Sequence, residues 1–97
     1  MQIIYTKHLK SRAKQRKIPI KLVKEVLENA EEFYFDNLRS HSIVIAKINY
    51  KGKLRKMLVS YDKIRLQFEV ITIHPISEKD INQKVESKRW INEKVKN

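Results

Sequence analysis

The chain has 97 residues, a net charge of +11 from 22 Lys+Arg against 11 Asp+Glu, and no cysteine. That length suits one domain with a modest core, and the lack of cysteine excludes disulfides and thiolate metal sites. No apolar run is long enough to span a bilayer, and Met1–Tyr5 enters a strand at once, so a cytoplasmic protein without a signal peptide is expected.

In chain order, Gln2–Tyr5 reads as a short strand, and Thr6 can cap the helix that follows. Helix Lys7–Lys17 carries His8, Arg12 and Arg16 at four-residue spacing, which puts them on one helical face. Leu9 and Ala13 form the adjacent apolar stripe, so the His/Arg/Arg stripe runs along the border of core and solvent. Pro19 ends this helix. Ile20–Asn29 resumes as a helix with Ile20, Val23, Val26, Leu27 and Ala30 on one face. Glu31–Asp36, with Phe33-Tyr34-Phe35, reads as a strand, and Asn37–His41 as a polar turn.

Three further strands follow: Ser42–Tyr50, Leu54–Tyr61 and Leu66–His74. Gly52, the only glycine, marks a two-residue hairpin loop at Lys51-Gly52. Residues whose numbers sum to 103 then lie opposite one another. Val44 faces Val59, Ala46 faces Met57, and Ile48 faces Arg55 on an apolar face. The other face pairs Ile45 with Leu58 and Lys47 with Lys56. Two opposed lysines repel, a cost most easily accepted under water or a polyanion. A last helix begins at Ser77, in a capping box with Asp80, and extends to about residue 95. It carries Ile81, Val85, Ile91 and Val95 on one side and Trp90 on the other. Trp90 either packs against a loop or second subunit, or stacks on a base. Lys94–Asn97 are expected to fray.

The order β-α-α-β-β-β-β-α predicts a single α+β domain, with its core over residues 2–76. It would be a mostly antiparallel twisted sheet with helices on one side and a basic open face. The charge favours nucleic acid as partner, then an acidic protein, and only then a membrane surface.

The run Tyr5-Thr6-Lys7-His8, then Arg12 and Arg16, then Val23 and Val26-Leu27-Glu28-Asn29, resembles a small prokaryotic domain family, largely of unknown function. Its layout is similar to that of the RelE/BrnT-like toxins, within the barnase–colicin–RelE ribonuclease fold group. The resemblance extends from Ile3 to about Ile76. It implies a metal-independent endoribonuclease, the toxin of a toxin–antitoxin pair, with RNA as substrate, an acidic antitoxin as partner and no cofactor.

Such chemistry needs a base for the RNA 2′-OH, cations for the phosphoryl oxygens and an acid for the leaving 5′-oxygen. The candidates are His8 as base, Arg12 and Arg16 on phosphate, and His74 as acid, with Tyr61 a weaker one. Lys47, Arg55 and Lys56 are the expected RNA-binding floor. Each has a structural alternative. Arg12 and Arg16 can brace against Glu25 or Glu28. His8 can simply cap or pack, His74 can close its strand, and His41 reads as surface. No histidine pair has metal-ligand spacing. A non-catalytic nucleic-acid-binding module and a basic protein-interaction domain remain the alternatives, as monomer or homodimer.

Overall fold

The computed structural model describes residues 2–93. Strand β1 (Gln2–Tyr5) leads into α1 (Lys7–Arg16) and α2 (Leu22–Glu28). Strands β2 (Glu32–Asp36), β3 (His41–Tyr50), β4 (Lys53–Ile64) and β5 (Gln67–Pro75) follow, then α3 (Glu78–Glu86) and β6 (Trp90–Asn92). The sheet order is β1-β5-β4-β3-β2-β6, antiparallel except where β1 runs parallel to β5. This is the expected α+β class, with one strand more than expected. No described helix is long and apolar enough to cross a membrane.

The β3–β4 hairpin adopts the expected register. Val44 lies opposite Val59, Lys47 opposite Lys56, and Ile48 opposite Arg55. Lys51 and Gly52 both have positive φ, 52° and 73°. That is the type I′ turn whose twist matches the flanking strands.

Alternation then divides the apolar side chains between two faces. On one, Leu9 and Ala13 of α1 and Val23 and Val26 of α2 pack over Val44, Met57, Val59, Val70 and Ile73. On the other, Ile81 of α3 packs with Ile43, Ile45 and Leu58, beside the stacked pair Tyr34 and Trp90. The third helix thus lies on the face opposite the first two, and the basic open face expected there is partly covered. Ile43, Ile45 and Leu58 make that face apolar, and the fully buried Ile81 seals it.

The chain after Glu86 also differs from expectation. Helix α3 stops there, and Lys88 turns the backbone through φ 63°. Trp90–Asn92 then pairs with β2 as an edge strand. Tyr34 and Trp90 face each other with ring centroids 5.3 Å apart. The large area buried by those rings favours a strand that docks Trp90 over a helix that would point it away. Val95 and the expected fraying at Lys94–Asn97 lie outside the described residues.

Candidate functional site: a cationic cleft beside strand β5

The cleft exists because β1 is short. Tyr5 is its last residue, opposite Val70, so β5 has no strand neighbour on that side from Ile71 onward. Thr6 makes the exit. Its Oγ1 donates to the Val70 carbonyl at 2.6 Å and accepts from the Leu9 N–H at 3.2 Å. One hydroxyl therefore caps α1 and ties its start to β5 where β1 ends. With Leu9 and Ala13 buried, the His8/Arg12/Arg16 stripe overhangs the free part of β5. Arg16 Nη1 donates to Thr72 Oγ1 at 2.9 Å and to the Ile73 carbonyl at 3.4 Å. No described ion pair links Arg12 or Arg16 to Glu25 or Glu28, so the bracing alternative is not what positions them.

Beneath the stripe lies a cleft of about 440 Å³. His8, Arg12, Arg16 and His74, the four catalytic candidates, all line it. Ile71, the extra residue of a β5 bulge opposite Ser60/Tyr61, also lines it. Bulges re-aim side chains in this way at the edges of sites.

His74 is the best defined of the four. Its Nδ1 lies 2.7 Å from the Pro75 carbonyl oxygen. A carbonyl only accepts, so Nδ1 carries the proton and Nε2 of the neutral ring keeps its lone pair. Burial pushes His74 below the ordinary histidine range and Arg16 adds to the lowering; the Pro75 carbonyl and Asp80 oppose it.

In the opposite wall only Trp90 carries a functional expectation from the sequence, base stacking; the other residues carry none. Arg89 and Trp90 line it, with Arg39 from the β2–β3 turn, His41 from the start of β3 and Lys84 from α3. Two carboxylates, Asp36 and Asp80, face this set. Asp36 is 4% exposed and engaged by Arg89, which donates from Nε to Oδ1 at 3.1 Å and from Nη2 to Oδ2 at 3.0 Å. Burial works to raise the Asp36 pKa. The Arg89 pair and the N–H groups of Arg39 and Leu38 outweigh it and hold the carboxyl below its usual range. His41 is fixed in turn: its Nδ1 lies 2.7 Å from Asp62 Oδ1. The indole Nε1 of Trp90 is buried with no hydrogen-bond partner among the described residues.

The expected binding floor is not part of this cleft. Lys56 sits 2.6 Å from Glu32 and 2.7 Å from Glu78, neutralised by both. Those hydrogen bonds raise its pKa above the ordinary lysine value. Burial opposes ionisation of Glu32, but the bonds from Lys56 and Tyr34 prevail and lower its pKa. Arg55 escapes the core face by donating from Nε to the Tyr50 carbonyl at 3.1 Å. Lys47 is exposed near the hairpin, away from the cleft. Tyr61 is spent on the core, edge-on to Phe68 with centroids 4.7 Å apart. Among the described residues no group of three His, Asp or Glu is placed to hold a metal ion.

Fold and cleft together define a small α+β domain with a histidine-bearing cationic cleft at a sheet edge. Comparison with protein-family models, with characterised proteins and with solved structures gave no match to this chain. The reading of the cleft therefore rests on its own geometry.

Proposed function

We propose that this domain is a metal-independent endoribonuclease, the toxin of a toxin–antitoxin pair, and that the cleft beside β5 takes the RNA backbone. The observation that carries the reading is the convergence of His8, Arg12, Arg16 and His74 on one 440 Å³ cleft, joined there by Arg39, Lys84 and Arg89. Guanidinium forks match phosphate oxygens at two points. An enclosed cationic cleft also raises the local concentration of a polyanion.

In this reading the 2′-oxygen attacks the adjacent phosphorus, the bond to the 5′-oxygen breaks, and a 2′,3′-cyclic phosphate remains. His74 suits the base. Its lone pair is on Nε2 and its environment keeps the ring neutral. It takes the part first expected of His8, which then joins Arg12 and Arg16 as a contact to the phosphate chain. The antitoxin would be an acidic protein drawn to the same charge.

The test is incubation of the purified protein with structured and unstructured RNA in EDTA, with product ends read by mass spectrometry. Fragments ending in 2′,3′-cyclic phosphate are expected, and His74→Ala should abolish them while the protein stays folded. Intact RNA bound in a salt-sensitive way would instead identify a non-catalytic binding module.

A further inference from the structure

The base has a defined candidate in His74, and the proton donor for the leaving oxygen has none. The geometry points to His41 as the general acid, with Asp62 as its positioning residue, in the RNA cleavage proposed above, on which this inference rests.

Three observations carry it. First, His41 lines the same cleft as His74 and is held by Asp62 at 2.7 Å. An ionised carboxylate only accepts, so the bonded Nδ1 carries hydrogen and Nε2 is left to the cleft. Asp62 fixes the ring's rotation and tautomer, as orienting carboxylates do beside acid–base histidines. Second, the placement suits an in-line displacement, whose entering and leaving oxygens lie at opposite ends of the phosphorus. His41 is bonded to Asp62, one position beyond the Ser42–Tyr61 pair, and His74 is opposite Leu58, on the strands flanking β4 from either side. Four residues along β4 and two strand spacings across it put the two Cα atoms about 16 Å apart. Both imidazoles line the one cleft that spans this separation. Third, the alternative donor His8 is exposed, and no hydrogen bond among the described residues fixes its ring.

The proton balance closes without a co-reactant. His74 Nε2 takes the 2′-OH proton as the 2′-oxygen–phosphorus bond forms. Protonated His41 gives its Nε2 proton to the 5′-oxygen as the phosphorus–oxygen bond breaks, and that oxygen departs as a hydroxyl. His74 ends protonated and His41 neutral, and solvent exchanges the two protons before the next turnover.

The experiment compares two synthetic oligoribonucleotides of one sequence. One has an ordinary scissile linkage. The other has sulfur in place of the bridging 5′-oxygen, a leaving group that departs as thiolate without an acid. On the ordinary linkage, His41→Ala should lower kcat by about 10²–10⁴-fold. On the sulfur linkage it should act at close to the wild-type rate, whereas His74→Ala should be impaired on both. Asp62→Asn should lower kcat but not raise KM on the ordinary linkage and spare the sulfur one, with Asp62→Glu recovering part of the loss. His41→Gln, which still donates to Asp62 but transfers no proton, should repeat the alanine result if His41→Ala fails to fold. Equal losses on both substrates, or wild-type cleavage by His41→Ala and His41→Gln, overturn the acid assignment and leave the ribonuclease reading standing. Wild-type protein that cleaves neither substrate overturns both.

Discussion

Asp36 holds Arg89 at two points, 3.1 Å and 3.0 Å, and is itself buried. The pair joins the end of β2 to the turn between α3 and β6. The Asn37 N–H, donating to the Arg89 carbonyl at 2.8 Å, seconds it. Asp36→Asn keeps the shape of the site and removes the charge, leaving Arg89 half-buried and unbalanced. A loss of about 3 kcal/mol is expected by urea denaturation, because breaking one partner of a buried pair strands the other. Adding Arg89→Met should restore part of it, as a double-mutant cycle would register.

Lys56 separates charge from binding. Removing it strands Glu32, which is only 24% exposed. Lys56→Ala should therefore cost about 1–3 kcal/mol of stability. It should leave the salt dependence of RNA binding unchanged. Arg12→Ala and Arg16→Ala should do the reverse, each reducing the slope of log affinity against log salt by about one. Filter binding across a salt series reads all three.

The pH dependence has a definite sign. His74 is depressed in the folded protein by burial and by Arg16 and Lys84, against Pro75 and Asp80. The unfolded chain then binds a proton that the folded chain refuses. The stability this contributes is present above the ordinary histidine value, about 6.5, and is lost as pH falls through the depressed one. Asp36 adds a second loss further into acid, below the ordinary aspartate value of about 3.9. Denaturation midpoints from pH 7.5 downward should decline, and His74→Asn should flatten the upper part of that decline.

The hairpin offers a gain in stability. Lys51 occupies φ 52°, which costs a side chain with a Cβ. Lys51→Asn, giving the favoured Asn-Gly turn, should raise stability by roughly 0.5 kcal/mol. Gly52→Ala should lower it by about 1–2 kcal/mol, from φ 73° alone, since the added methyl meets open space. Thermal melts of the two single variants distinguish these opposite signs.

Much of the fold was legible because local signals and alternation agreed. The lone glycine set the register of β3 and β4, and Thr6, Pro19 and Ser77 marked the helix boundaries. The His8/Arg12/Arg16 stripe was legible because helical spacing is local. The far wall of the cleft was not, since it needs β6 against β2, and no local pattern reports a three-residue edge strand. Trp90 read as helical because the residues around it keep a helix-like spacing; its burial against Tyr34 is a tertiary choice. The His41–Asp62 pair was within reach: the same sum of 103 that placed Val44 opposite Val59 places His41 opposite Asp62. It escapes the sequence reading because the first strand of this hairpin is expected to begin at Ser42, one residue after His41, and the second to end at Tyr61, one residue before Asp62. The lysine floor misled for the opposite reason. Its cross-strand pairing was right, but Glu32 and Glu78 arrive from elsewhere in the chain to neutralise Lys56.

The walls of the cleft are drawn from positions 8 to 90. The buried residues of the first core run only from Leu9 to Ile73, so one side of the pocket, Arg89 and Trp90, comes from a part of the chain that this core does not use. A released chain shortened after position 85 would retain every buried residue of the first core while lacking the finished enclosure.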